Sequence, residues 1–234
     1  MNSELSLPFW SAFIVVFLSM AGRYFLSGLV IEKLLSFFPH RKLNSALNQT
    51  QVRSDIYYSV LSLVIFAFFI ALTIYFYQLD FVTISSTTSV KGLVHLVAMF
   101  LVQDTYFYWT HRWFHWAGVY KMVHEPHHRS RQPSFWTSFA FHPLEALIQA
   151  IGLPLLALGF YLEWWAVISF LSIMTFMGVV NHLGHEFYPK FWLKGIGRYV
   201  VSATHHQKHH LYYKYNFGLY FSFWDRLMGT EHEE

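Results

Sequence analysis

Histidines at short, regular spacings are the most chemically informative feature of this sequence. His111 and His115 are four residues apart, which places both imidazoles on one face of a helix. Two further segments contain the pattern His-x-x-His-His, which gathers three imidazoles within about one helical turn. These segments are His124-Glu125-Pro126-His127-His128 and His205-His206-Gln207-Lys208-His209-His210. Such clusters predict metal coordination.

A fourth pair, His182 and His185, follows the last apolar run. We expect His182 to be the ligand, because it lies nearer the membrane. His185 is equally well explained as an interfacial histidine that bonds to water or to Glu186.

The number of candidate ligands predicts two metal ions, since about eight to ten histidines exceed the four that a zinc site needs. A bound cation also removes the repulsion that several protonated imidazoles would exert on one another. The chain has no cysteine, so the ligands must be nitrogen or oxygen. Imidazole binds iron, copper, nickel and zinc, and the residue types leave the metal open.

Two smaller patterns have competing interpretations. His124-Glu125-x-x-His128 matches the zinc-protease motif, but Pro126 would interrupt the helix that this motif requires. Asp104 shares a helical face with Tyr108 and His111. It either orients a ligand ring from behind or is a buried carboxylate satisfied by a neighbouring helix.

The composition indicates an integral membrane protein. Apolar residues make up 55% of the chain and charged residues only 12%, about half the charged share of a soluble protein. Aromatic residues reach 21%, which suits lipid-facing helices with interfacial Trp and Tyr. The 16 basic residues are scattered, which argues against a nucleic-acid partner.

Apolar runs predict four or five membrane helices, two of them joined by a tight hairpin at Glu163. We interpret the first as a span and not a cleaved signal, because no basic residue precedes it. The runs are 8–30, 56–77, 92–109, 146–162 and 164–180.

Basic residues predict the orientation of these spans. The first loop region contains Lys33, Arg41, Lys42 and Arg53, whereas the loop at 80–89 contains none. We therefore expect the first loop, and with it both histidine-rich segments, on the cytoplasmic side. A bacterial inner membrane is the expected location.

The spaced motifs resemble those of the fatty acid hydroxylase and sterol desaturase superfamily of membrane di-iron enzymes. The resemblance covers about half of the chain, and the set of spaced boxes is highly specific. The matching segments are 104–112, His115, His124-x-x-His127-His128, 141–145, Asn181-His182 and His206-x-x-His209-His210.

The resemblance implies an all-α membrane bundle beneath a cytosolic helical cap that encloses two metals. It implies one domain over 1–234, with the histidine boxes within 104–210. By position, the ligands would be His111, His115, His124, His127, His128, His182, His206, His209 and His210. His205 and His185 are additional candidates, His142 is a structural or supporting residue, and the partition of ligands between the metals stays open.

The expected activity is hydroxylation or desaturation of a lipid with dioxygen. Lipid C–H bonds have no acidic proton or leaving group, which favours oxidation at two iron ions, although purified protein could contain zinc. The chain has no flavin, haem or iron–sulfur motif, so electrons would come from a separate ferredoxin-type or cytochrome-type donor and its reductase. The alternative is a histidine-rich transporter of metal ions or protons.

Overall fold

A computed structural model describes residues 7–44 and 48–232 and is mostly helical. The α-helices in these ranges are α1 (Phe9–Leu35), α2 (Gln49–Gln78), α3 (Val90–Phe114), α4 (Ala117–Val123), α5 (Glu125–His128), α6 (Pro143–Gly159), α7 (Trp164–His182), α8 (Lys190–Lys194), α9 (Ala203–Tyr212) and α10 (Phe223–Leu227). Short 3-10 helices lie at Pro39–Arg41, Phe135–Phe139 and Ile196–Tyr199, and two strands are β1 (Ile84–Ser85) and β2 (Leu162–Glu163).

Three helices, α1, α2 and α7, are long and apolar enough to cross a membrane. Even α7, with 19 residues, reaches about 28 Å at 1.5 Å per residue, close to the thickness of a hydrocarbon core. Large apolar side chains on these helices face outwards; Leu18 and Ile168 are each 61% exposed. The chain is therefore an integral membrane protein.

The other two predicted spans are less apolar or shorter. α3 has 25 residues but contains His95, Gln103 and Asp104, and α6 has 17 residues with Pro154 inside it. Both pack within the same bundle, α3 against α7 and α6 against α2. The four or five predicted helices are thus three clear spans and two helices that accompany them.

The core of the bundle includes a close fit between α1 and the 3-10 helix at Phe135–Phe139. The Tyr24 hydroxyl donates to the Trp136 carbonyl oxygen at 2.9 Å. A Cβ on Gly28 would lie 2.6 Å from the Trp136 ring, so only glycine allows this approach. The 3-10 helix also contacts α2 and α7, which joins the segment after α5 to the membrane helices.

The end of the bundle away from the histidines has the predicted short connection at Glu163 and, in addition, a small sheet. α6 ends at Gly159, and β2 pairs in parallel with β1 in the register Ile84 to Leu162. Glu163 accepts from the Ser89 backbone amide at 3.0 Å and from its hydroxyl at 2.5 Å, which holds the pKa of Glu163 below its usual value. The connection between α6 and α7 therefore pairs with the chain before α3, and the buried Glu163 carboxylate also binds it to the start of α3.

The opposite end brings the first loop to the histidine segments. Leu43 donates its backbone N–H to the Gly184 carbonyl at 2.9 Å. Gln51 Nε2 donates to Ser130 Oγ at 2.8 Å, just after α5. The basic first loop and the histidine-rich segments therefore lie on one side of the bundle, as the charge pattern predicted.

Candidate metal centre

The C-terminal end of α3 supplies the first two histidines. The helix continues past the predicted end at Trp109 to Phe114, and the added residues include His111. His115 follows as the C-terminal cap residue of the helix. Their rings are 5.3 Å apart between centroids, as the spacing of four predicted.

A break in the chain at His124 positions the next three histidines. α4 ends at Val123, His124 caps it, and α5 begins at Glu125 with Pro126 in its first turn, where proline is tolerated. The continuous helix of a zinc protease is therefore missing here, as Pro126 predicted. The break places His124, His127 and His128 all in the buried interior.

The remaining histidines come from α9 and from the end of α7. Ser202 caps α9 and accepts from the His205 backbone N–H at 3.2 Å. The helix presents His206, His209 and His210 inward, and all three are buried. His182 is the last residue of α7 and lies beside them, with its ring centroid 4.3 Å from that of His206.

The nine histidines form two groups whose potential ligand atoms lie within 4.8 Å of one another inside each group. The five-histidine group consists of His111, His115, His124, His128 and His209. The four-histidine group consists of His127, His182, His206 and His210. The groups adjoin, since the rings of His128 and His210 are 4.7 Å apart.

Backbone carbonyls define the tautomer of four of these rings. Each ring directs Nδ1 at a carbonyl oxygen, which can only accept a hydrogen bond, so Nδ1 carries the proton and Nε2 keeps a lone pair. The pairs are His111 Nδ1 with Phe217 O at 2.9 Å, His127 Nδ1 with Ala140 O at 3.3 Å, His182 Nδ1 with Gly178 O at 2.7 Å and His209 Nδ1 with Tyr215 O at 2.6 Å.

The Nε2 atoms then converge at distances that suit a shared cation. His127 Nε2 and His182 Nε2 are 3.3 Å apart, and both tautomers place lone pairs there, so the two atoms cannot hydrogen-bond to each other. His111 Nε2 and His124 Nε2 are 3.0 Å apart. Nitrogen ligands about 2.1 Å from one metal ion and at right angles are separated by about 3 Å. The donor set therefore fits metal ions.

The pKa values of the histidine rings also suit metal binding. Burial, with smaller contributions from neighbouring histidines, holds the pKa values of His124, His127 and His128 well below the usual value. The same causes lower the pKa of His115 to about 2. Neutral imidazole is the form that binds metal, so these side chains offer lone pairs at neutral pH.

Glu145 was missing from the predicted site residues. It lies near the start of α6, is 2% exposed, and places Oε1 2.8 Å from His124 Nδ1. A carboxylate behind a ligating histidine orients the ring and raises its basicity. One sequence signal could have identified it, because Glu145 is the single charged residue of a helix that is apolar apart from Gln149.

Asp104 accepts hydrogen bonds from backbone groups and does not orient the ring of a ligand histidine. Its Oδ1 accepts from the backbone N–H of Tyr220 at 2.8 Å and of Phe221 at 3.3 Å. The carboxylate therefore holds the loop whose Phe217 carbonyl fixes the His111 tautomer. The difference arises because the 217–221 loop packs between Asp104 and the histidine rings.

Asp225, which sequence reasoning also missed, holds the same loop from the other side. It is fully buried and accepts from Phe217 N at 2.9 Å, Gly218 N at 2.8 Å and Thr230 Oγ1 at 2.8 Å. Tyr108, which shares the face of Asp104, contacts Thr230 Oγ1 at 2.9 Å. These residues position the carbonyls and do not reach the metal groups themselves.

Three histidines that the sequence analysis singled out, His205, His185 and His142, lie outside both groups. His205 Nε2 is 3.8 Å from Asp225 Oδ2, and His185 Nδ1 is 3.4 Å from the carbonyl oxygen of Leu183, two residues earlier. His142 caps α6, with its Nδ1 accepting from Leu144 N at 3.3 Å, which matches the structural role predicted for it.

Comparison with known proteins identifies the family. The sequence profile described as fatty acid hydroxylase matches residues 96–230, more than half of the chain. The chain belongs to the fatty acid hydroxylase family. All nine grouped histidines, together with Asp104, Glu145 and Asp225, lie within the matched residues.

Several curated sterol enzymes are similar to this part of the chain. Lathosterol oxidase of Homo sapiens is 29% identical over 138 residues, 59% of this chain and 45% of the relative. Delta(7)-sterol 5(6)-desaturase of Eremothecium gossypii is 34% identical over 155 residues, which cover 62% of this chain and 40% of the relative. Methylsterol monooxygenase of Aspergillus fumigatus is 31% identical over 140 residues, which cover 58% of this chain and 46% of the relative. The aligned part of this chain spans less than half the length of these relatives, and no solved structure is significantly similar.

Proposed function

We propose that the protein is a membrane oxygenase that hydroxylates or desaturates a lipid with dioxygen at two iron ions. The observation that carries the proposal is the convergence of eight buried histidines and the partly exposed His115 in two adjoining groups. In four of these rings the tautomer leaves a lone pair on Nε2. Family membership and the oxidase, desaturase and monooxygenase names of the relatives support the reaction class.

The five-histidine group would hold one iron and the four-histidine group the other. Bound iron would supply activation of dioxygen and the one-electron chemistry that breaks an unactivated C–H bond. Hydroxylation turns R–H, O2, two electrons and two protons into R–OH and one water. Desaturation turns –CH2–CH2–, O2, two electrons and two protons into –CH=CH– and two waters.

The protein would keep the histidine rings uncharged, hold them in the orientation that metal binding needs, and shield them from water. Glu145 supports His124 from behind, and the loop between Tyr213 and Ser222 supplies carbonyls to His111 and His209. The lipid would reach the site through the membrane helices. A cavity of about 260 Å³ between α1, α2 and α7 is lined mostly by apolar residues and includes Phe139. Phe141, two residues on, lies 5.0 Å from the His127 ring between centroids.

Two electrons per turnover must come from a donor, which we propose is a ferredoxin-type or cytochrome-type protein.

We also propose that the histidines face the cytoplasm, and a bacterial inner membrane stays a prediction. Because the chain has no cysteine, single substitutions Lys190→Cys and Thr87→Cys test the orientation. A membrane-impermeant thiol reagent added outside intact cells should label only the second.

Lipid mass spectrometry tests the activity. Cells that express the wild-type chain should accumulate a lipid heavier by one oxygen atom, or lighter by two hydrogen atoms, and cells that express His127→Ala should not. Labelling with ¹⁸O2 separates incorporation from desaturation. If proteoliposomes transport metal ions while the lipids of the cell stay unchanged, the transporter alternative is right and this proposal is wrong.

A further inference from the structure

A second cavity connects the five-histidine group to the surface on the side of the first loop. It has a volume of about 640 Å³, and His115 and His128 form part of its wall. The Nε2 atom of His115 has no hydrogen-bond partner among the described residues, and its side chain is partly exposed. This is the place where a candidate metal ligand comes nearest to solvent.

Two tyrosines line the passage between that surface and the ligand rings. Tyr213 packs 4.9 Å from the His128 ring between centroids, and Tyr120 packs 5.5 Å from the His115 ring. The two tyrosine rings are 5.9 Å apart. A redox partner seated on the cavity would therefore be separated from the metal ligands by about one layer of aromatic side chains.

The rim of the cavity is strongly cationic. Lys121, Arg129, Arg131 and Lys214 line it and are exposed, and Glu125 is the single acidic residue of the lining. Arg131 Nε donates to the Tyr213 hydroxyl at 3.2 Å, which joins the rim to the aromatic layer. Charged rims of this kind steer a protein of opposite charge and orient it on contact.

We infer that this cationic rim is the docking surface for an acidic one-electron carrier protein, which delivers electrons next to His115 and His128. The inference rests on the proposed function, because only a redox reaction needs such a partner. A lipid chain is a poor occupant, since the cavity is rimmed by charges. Electron-transfer partners also use small, transient interfaces, which suits one cavity with a charged rim.

The test uses the full chain in lipid nanodiscs and a double charge reversal, Lys121→Glu with Lys214→Glu. Neither lysine side chain has a hydrogen bond or ion pair in the described structure, and Arg131 is left intact because it contacts Tyr213. The matched control is Lys190→Glu with Lys194→Glu on α8, also exposed. An acidic ferredoxin and an acidic soluble cytochrome serve as probes, and binding is measured by surface plasmon resonance at several salt concentrations.

We expect the rim variant to bind at least one probe about tenfold more weakly at low salt and to lose its salt dependence, whereas the control binds like the wild type. Equal weakening in both variants, or no binding by either probe, would overturn the inference. So would an effect that disappears in nanodiscs without anionic lipid, because the lysines would then contact headgroups.

A second measurement separates this inference from the proposed function. A stoichiometric amount of dithionite under anaerobic conditions replaces the protein donor, and the lipid oxidation that follows the addition of oxygen should then be equal in wild type and rim variant. If dithionite drives no lipid oxidation in the wild type while the binding difference persists, the docking surface stands and the proposed function fails.

Discussion

Replacing Glu145 with glutamine tests the support behind one ligand ring. Glu145 Oε1 lies 2.8 Å from His124 Nδ1, and both side chains are buried. Burial raises the pKa of Glu145 well above its usual value, so the carboxyl group carries a negative charge only when a cation held by His124 stabilises it. Glutamine keeps an oxygen near this position but removes that charge. A contact to a charged group contributes about 1.5–3 kcal/mol and a neutral one about 0.5–1.5 kcal/mol, so the loss is about 1–2 kcal/mol. This corresponds to a metal affinity of the five-histidine group that is lower by about 5- to 30-fold.

Chelator competition on the purified protein measures this loss directly. The Glu145→Gln variant should release one metal ion at a lower chelator concentration than the wild type, while the second ion is retained. Glu163→Gln is the matched control, because Glu163 is equally buried but bonds to Ser89 at the other end of the bundle. The control should lower thermal stability without changing metal release. Identical release curves for Glu145→Gln and the wild type would refute the reasoning.

Three further predictions concern the ligand set, the loop behind His111 and a glycine near the first loop. His127→Ala should abolish lipid oxidation and reduce bound metal, whereas His185→Ala, outside both groups, should leave the metal content unchanged. Metal analysis and activity assays compare the two variants. Loss of metal from His185→Ala but not from His127→Ala would contradict the ligand set. Asp225→Asn should weaken metal retention about tenfold in chelator competition, because the loop that orients His111 loosens, and unchanged retention would remove Asp225 from that role. Gly184→Ala should lower the free energy of unfolding, measured in thermal or denaturant unfolding, by more than the about 1–2 kcal/mol that a left-handed backbone alone would cost, because Gly184 has φ +63° and a Cβ there would also overlap the Asn44 amide and lie 2.7 Å from the Pro133 carbonyl oxygen. An unchanged unfolding midpoint would contradict this.

Local spacing predicted that the clustered histidines would lie close together, because it depends on helix geometry alone. The i, i+4 pair at the end of α3 and the two His-x-x-His-His segments all converge as expected. The partition between the groups was beyond such reasoning. His127 and His128 are adjacent in sequence but belong to different groups, since successive residues on a helix point about 100° apart and meet different neighbours.

The residues behind the ligands were harder to predict because their partners are distant in sequence. Glu145 supports a histidine 21 positions earlier, and Asp104 bonds to backbone groups more than 100 positions later. Side-chain patterns do not report backbone acceptors, so the carbonyls of Phe217 and Tyr215 left no trace in the sequence. The short sheet at Glu163 escaped prediction for a similar reason, since its pairing joins two separate loops.

The number of metal ions bound per chain tests the central claim most directly. Wild-type protein purified from iron-replete cells in its folded state should contain two iron ions per chain by elemental mass spectrometry. A total of one metal ion of any kind per chain, or none, in protein with native helical content would contradict the assignment of the five-histidine and four-histidine groups to two metal ions.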